Sequence, residues 1–406
     1  MRNASEPWIF GLTVASAGAV LLSIAAAQIL LVAALTLWLV ARPVSLRVPS
    51  YFIPLGAFIA ATLLSLAMSP DPRPGIWAVR KFWLFSMGLS ASHFVSSERR
   101  AVIAFRVLAG VGGLASLIGV LQFPALYGRF VQTGLLKYDP MVLDRITGTM
   151  GHPMTFSGEQ LLVWCAAVPA LIAMGWIWTL PVSISAAALV LGFTRSVWIG
   201  AVAGVAAVGW FLPRRILLVV IAPLAVVGVA ASPLIYHRIS MSFGPRFAPD
   251  TSRLAMLDVG SRMIQDRPLF GVGPERIHEE FPHYYGGADL DTAVPYYGHL
   301  HNNVLQIAAE RGLLCLATFF WFVLELYRNL ILKVKASDSG ARWIPLSAIA
   351  AFTGFLFAGF FEYNFGDSEV LLLLLFIISV PFGVAQANEE ANEEANVQEN
   401  PDSQQR

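Results

Sequence analysis

Charge is scarce in this chain, and so is cysteine. Of its 406 residues only 13% are Asp, Glu, Lys or Arg, and 27 cations against 26 anions leave a formal charge of +1. That balance excludes a global basic footprint, so no nucleic-acid partner is expected. The two cysteines, Cys165 and Cys315, both sit in apolar runs and give no disulfide framework. The first apolar run, from Trp8, lacks the basic leader and small-residue cleavage site of a secretory signal. Also missing are a Gly-rich lysine loop for phosphates, a G-x-S-x-G nucleophile elbow and an internal repeat of the inverted transporter kind.

What the chain has instead is apolar length: 56% hydrophobic residues and a mean hydropathy of +0.65. A membrane helix needs roughly 20 apolar residues. The run 8–40 is too long for one span, and its centre, SIAAAQ at 23–28, is the expected break. Further spans are expected near 51–68, 77–95, 101–123, 156–174, 176–193, 196–212 and 216–235, then at 313–332, 343–361 and 370–385. The fold class read from this is an all-α polytopic membrane protein with about 12 transmembrane helices and one large loop carrying short helices. Its parts are residues 1–236 (about nine helices), the loop 237–312, residues 313–386 (about three) and a tail 387–406. The tail, ANEEANEEANVQENPDSQQR, is acidic and low in complexity, so it is expected to lack a fold.

Short basic connections set the expected orientation. Arg42, Arg47, Arg99, Arg100, Arg214, Arg215, Lys333, Lys335 and Arg342 fall on one side, which the positive-inside bias places in the cytoplasm with both termini. The opposite side receives SPDPRPG (69–75), the segment 124–155, the turn at Arg195, the large loop and FEYNFGD (361–367). Arg73, Arg80 and Lys81 fall near that outer side against the bias, which means either a small error in the expected topology or cations held for a ligand.

The large loop holds Arg238, Arg246, Arg253, Arg262, Arg267, Arg276 and Arg311 but no Lys. An all-Arg set suits planar, bidentate recognition of phosphate or carboxylate, although each Arg could also pair with a neighbouring acid. TSRLAMLDVGSRMIQDRP has helical spacing, with Ser252 as a candidate cap, Leu254 and Leu257 on an apolar stripe and Pro268 as the stop. FGVGPERI is a glycine turn without the third glycine of a dinucleotide fingerprint. HNNVLQIAAERG reads as a short amphipathic helix ending at Gly312, with His301 at its start. There the helix dipole disfavours imidazolium, and a neutral imidazole can act as a general base. Asn302 follows on the polar side.

Elsewhere, Arg195 in LVLGFTRSVWIG is a cation in an apolar stretch, where charge costs roughly 2.5–3.5 kcal/mol at a helix centre. It is read as an interfacial anchor or as a group facing an anionic ligand. Arg145 precedes a Gly/Pro turn (Gly148, Gly151, Pro153) that feeds a helix start near 155–157, a place where backbone N–H groups suit an anion. His152 is read as structural. Metal ligation is not expected: HEEFPH does not put its two His on one helical face, and His299-x-His301 could chelate only in an extended segment.

From about Arg145 to Asp367 the chain resembles the O-antigen ligase / O-antigen polymerase superfamily of membrane glycosyltransferases. RITGTMGHPMTF, TRSVWIG, SRLAMLDVGSRMIQDRPLFGVGP and HNNVLQIAAERGLL carry the resemblance. Leu257 stands where the family often has Trp, and Gly151-His152-Pro153 replaces a more usual G-N-P-N. The resemblance implies a metal-independent, inverting enzyme of the bacterial inner membrane that needs no cofactor. It would move a glycan from an undecaprenyl-diphosphate carrier to an acceptor, lipid A–core or another glycan, on the periplasmic face. In that reading His301 is the base, Arg195 and Arg253 hold the diphosphate, and Arg145, Arg80, Asn302 and Arg276 line the substrate. O-antigen ligation is preferred; polymerisation and transfer to protein remain alternatives within the superfamily, and a secondary transporter is the alternative outside it.

Overall fold

The computed structural model of the chain describes residues 4–41, 48–133, 145–233, 235–236, 249–286, 290, 294 and 297–399. Most of the large loop's first part, including Arg238 and Arg246, lies outside them. Among the described residues the secondary structure is helical, with no strand.

The chain opens with α1 (Glu6–Ala19) and α2 (Ile24–Ala41), so the long first run does split, a few residues before the centre of SIAAAQ. Next come α3 (Phe52–Met68), α4 (Arg73–Arg80), a 3-10 turn (Lys81–Phe85), α5 (Ser86–Phe94) and α6 (Glu98–Thr133). They are followed by α7 (Pro153–Met174), α8 (Thr179–Leu191), α9 (Arg195–Val208) and α10 (Arg214–Ala230). The large loop contributes α11 (Pro249–Asp266) and α12 (Ile277–Tyr284), and the chain ends with α13 (Asn303–Ala336), α14 (Trp343–Ala358) and α15 (Ser368–Glu399). Among the described residues, five helices are long and apolar enough to cross a membrane: Ile24–Ala41, Glu98–Arg129, Pro153–Met174, Asn303–Ala336 and Ser368–Ala387. Shorter apolar helices, among them Phe52–Met68 and Trp343–Ala358, accompany them. This is a helical membrane protein.

Local chemistry sets the helix ends. Pro153 stands at the first position of α7, where its missing N–H costs nothing, and Gly175 (φ 99) ends that helix. α11 begins at Pro249, three residues ahead of Ser252, so Ser252 lies inside the helix and is not its cap. α13 is not one straight rod, because Gly312 (φ 85, ψ 168) breaks it where the sequence places a helix end. The acidic tail is helical through Glu399: Ala, Glu and Gln form helices well, and that intrinsic preference outweighs low complexity there.

α7 and α15 are the most enclosed of the membrane-length helices. α14 packs on both α7 and α9, and small residues permit the close approach. A Cβ on Gly200 would lie 2.5 Å from the Gly354 carbonyl oxygen, and one on Gly204 2.5 Å from that of Ala350. The bundle has two unlike ends. At one, Trp343 Nε1 donates to Glu98 (3.3 Å) beside Arg99, Arg100 and Arg342, and the Lys333 ammonium sits 4.7 Å from the Phe382 ring centre. At the other end stand the starts of α7, α9, α13 and α15, and there the chemistry gathers.

Candidate functional site

The sequence GHLHNN forms the approach to α13. His301 takes φ 47, a left-handed conformation that costs a non-glycine residue energy, and its neighbours hold it there. Leu300 N–H donates to Gln306 Oε1 (2.7 Å), Asn303 N–H to the Gly359 carbonyl (2.7 Å), and Asn303 Nδ2 to Asn364 Oδ1 (2.6 Å). Asn302 caps α13 by accepting from Leu305 N–H (2.9 Å), and its Nδ2 donates to the Phe360 carbonyl (2.9 Å). Both ends of the Asn302 amide are therefore occupied by backbone.

The polar face of this helix is buried, contrary to what amphipathic spacing suggests. Asn303, Gln306, Glu310 and Arg311 are each less than 10% exposed. Gln306 donates to Glu310, Glu310 accepts from Arg311 Nε (3.0 Å), and Arg311 reaches Tyr363 Oη (3.3 Å) while lying over the Phe58 ring. A network that satisfies its members can be buried where single polar groups cannot.

The 359–367 connection brings Glu362 to His301. His301 Nδ1 lies 3.2 Å from both carboxylate oxygens of Glu362, and His299 Nε2 lies 3.8 Å from one of them. The two imidazole centres are 4.2 Å apart. Burial alone would raise the Glu362 carboxyl, but the His301 hydrogen bond, the charges of His301 and His299 and the Tyr363 N–H outweigh it and hold the group at about 2. Glu362 is thus an ionised acceptor, so His301 Nδ1 must carry the proton and donate, which leaves Nε2 as the ring's basic nitrogen. Burial, reinforced by the neighbouring His301, pushes His299 down to about 4 against the pull of Glu362. His299 is neutral near pH 7.

His152 joins this group from the start of α7. Its Nδ1 accepts from Met154 N–H (3.3 Å), so it caps the helix. Burial and then Arg145 lower its pKa, while Glu362 and Asp367 oppose them. Thr155 Oγ1 donates to Asp367 (2.6 Å), tying the starts of α7 and α15. Arg145 Nη1 donates to Thr194 Oγ1 (3.1 Å), so its guanidinium lies against the residue that precedes Arg195 at the start of α9.

The other sequence candidates stand at varied distances from this centre. Arg253 is on α11, which packs where a Cβ on Gly260 would meet Leu300 (3.0 Å) and Leu305 (2.9 Å). It shares the helix face of Gly260, seven residues and so about 10 Å along the axis. Arg276 is bound by Glu280 (2.6 Å) and Glu279 (3.2 Å), pinning the start of α12. The Arg80 guanidinium lies over the Trp77 ring at 4.8 Å.

Sequence reading missed Glu362 as a functional group, although an acid in a polar break on the same side as His301 was the available signal. It also missed Glu159, buried one turn inside α7 from Thr155. Neither Glu159 carboxylate oxygen has a hydrogen-bond partner among the described residues.

His299, His301 and Glu362 each offer one ligand atom within 4.8 Å of the others, close enough to hold a cation. The same atoms form an imidazole–carboxylate contact, with His301 Nδ1 3.2 Å from both Glu362 oxygens. His299 Nδ1 accepts from His301 N–H (3.3 Å), so its proton belongs on Nε2, toward Glu362. A cation would have to displace both ring protons.

Residues 180–320 match the O-antigen ligase family model. A comparison with curated proteins finds no match. The O-antigen ligase match runs from α8 into α13 and takes in Arg195, Arg253 and His301, while Arg145, His152 and Glu362 lie outside it. It supports the O-antigen ligase-like superfamily and, with it, an enzyme of the membrane glycosyltransferase type acting on lipid-linked glycans.

Proposed function

We propose that this protein transfers a glycan from an undecaprenyl-diphosphate carrier to an acceptor hydroxyl at the periplasmic face, with O-antigen as the glycan and lipid A–core as the acceptor. The observation that carries the reading is the His301–Glu362 pair. A carboxylate that fixes the Nδ1–H tautomer presents Nε2 to take a proton from an attacking hydroxyl, a step worth roughly 10²–10⁴-fold. Glu362 also stabilises the imidazolium formed when the proton moves.

In the proposed step, the acceptor oxygen attacks the anomeric carbon, the bond to the diphosphate breaks, and the proton passes to His301. Negative charge grows on the leaving diphosphate, so fixed guanidiniums stabilise the transition state more than the ground state. Arg195 and Arg253 are assigned to that charge, and Arg145, held against Thr194, supports it. One direct displacement inverts the anomeric centre. The donor bond is already activated, so no nucleotide enters. The basic far end of the bundle supports a cytoplasmic placement for that end and a periplasmic one for His301.

The test is transfer by the purified full-length protein in proteoliposomes, with a defined undecaprenyl-diphosphate glycan and lipid A–core as acceptor. Product with an inverted linkage supports the reading; unchanged donor in the presence of folded protein opposes it.

A further inference from the structure

α4 (Arg73–Arg80) is a short helix with two unlike faces, and nothing in the proposed reaction uses its outer one. Gly75 and Ala78 are buried, the Gly75 position lying against Leu66 of α3 and against Pro274. Arg73, Trp77 and Arg80 follow one another at i, i+4 and i+7, so they form one stripe about 10 Å long. Trp77 is 63% exposed and Ile76 beside it 57%. The Arg80 guanidinium lies 4.8 Å from the Trp77 ring centre. Among the described residues no carboxylate forms an ion pair with Arg73 or Arg80; the nearest acid in sequence, Asp71, instead accepts from the Arg73 backbone N–H (3.0 Å).

The depth of the stripe follows from its neighbours. The apolar helix α3 leads into it, and buried α5 leaves it, so α4 stands where the chain turns at the membrane surface. Lys81, the next residue, donates to the Gly366 carbonyl (3.1 Å) and lies 3.9 Å from Glu275, which sets this level with the loops around His301. An aromatic ring and two guanidinium forks spanning about 10 Å match the headgroup zone of a bilayer, where the anions are lipid phosphates.

We propose that Arg73, Trp77 and Arg80 form a docking stripe for the phosphate of an anionic lipid in the leaflet beside the His301 site. The two guanidiniums take the phosphate oxygens, while Trp77 and Ile76 rest against the glycerol and upper acyl carbons. Binding is separable from turnover, so the proposal does not depend on the transfer reaction.

The experiment titrates the full-length protein in detergent with dioctanoyl phosphatidylglycerol, dioctanoyl phosphatidylcholine or inorganic phosphate. Wild-type protein is expected to prefer phosphatidylglycerol over phosphatidylcholine by roughly tenfold, the scale of two partly exposed charge pairs. The double variant Arg73→Gln/Arg80→Gln should lose that preference with its melting temperature unchanged, and Trp77→Ala should weaken binding of both lipids. Inorganic phosphate should not compete. Equal affinity for the two lipids, a preference that persists in the double variant, or competition by inorganic phosphate alone would each overturn the proposal.

Discussion

His301 Nδ1 stands 3.2 Å from both oxygens of the Glu362 carboxylate, sixty-one residues away in sequence. The pair joins the start of α13 to the connection between α14 and α15, and it gives the imidazole one proton position.

Glu362→Gln keeps the shape of that contact and removes its charge, so the tautomer is no longer enforced. Turnover should fall by about 10²-fold or more, with little change in KM for the donor. Glu362→Asp should recover part of the loss. Steady-state transfer assays on the three proteins check this, and equal kcat values in all three would reject the positioning role.

Acid should destabilise the protein through His299. Its folded pKa of about 4 lies below the ordinary 6.5, so between those values the unfolded chain binds more protons than the folded one. Stability therefore falls as pH drops from 6.5 toward 4. Glu362, held at about 2 against an ordinary 4.5, adds a further loss as pH falls from 4.5 to 2. Melting temperatures in detergent should decline across the upper window in wild type and decline less in His299→Gln.

Arg311 and Glu310 form a buried pair in which one partner cannot be removed safely. Arg311→Met strands the Glu310 carboxylate and should cost about 3–5 kcal/mol. Glu310→Gln combined with Arg311→Met should cost clearly less than Arg311→Met alone. Thermal unfolding of the single and double variants measures the difference.

Packing of α9 on α14 gives a prediction independent of chemistry. Gly200→Leu and Gly204→Leu push side chains into the Gly354 and Ala350 carbonyls. Each should destabilise by about 1–3 kcal/mol or more through overpacking, read as a lowered melting temperature and poor detergent-solubilised yield.

Much of the fold was legible because a membrane helix announces itself by apolar length. The expected runs near 51–68, 156–174 and 343–361 correspond to Phe52–Met68, Pro153–Met174 and Trp343–Ala358. Breaks inside runs were harder. The 3-10 turn at Lys81–Phe85 divides α4 from α5 without a proline or glycine to mark it, and α6 runs ten residues past its expected end at 123. His301 was legible from its place at the start of α13 and from the family resemblance. Glu362 was not, because a lone acid in a connection carries no spacing signal, and its partner comes from distant sequence. Burial of the polar face of α13 was not legible for a related reason: amphipathic spacing finds two faces but not which one meets protein. Arg276, expected to line the substrate, is held by local acids at i+3 and i+4, a pairing that the spacing of Glu279 and Glu280 also allowed.

The most direct measurement of the central claim is single-turnover glycan transfer from undecaprenyl diphosphate by purified wild type and His301→Ala, with donor binding followed in parallel. The account predicts that His301→Ala binds donor as wild type does, keeps its melting temperature within a few degrees, and loses transfer by at least about 10²-fold. Wild-type turnover in His301→Ala would contradict it.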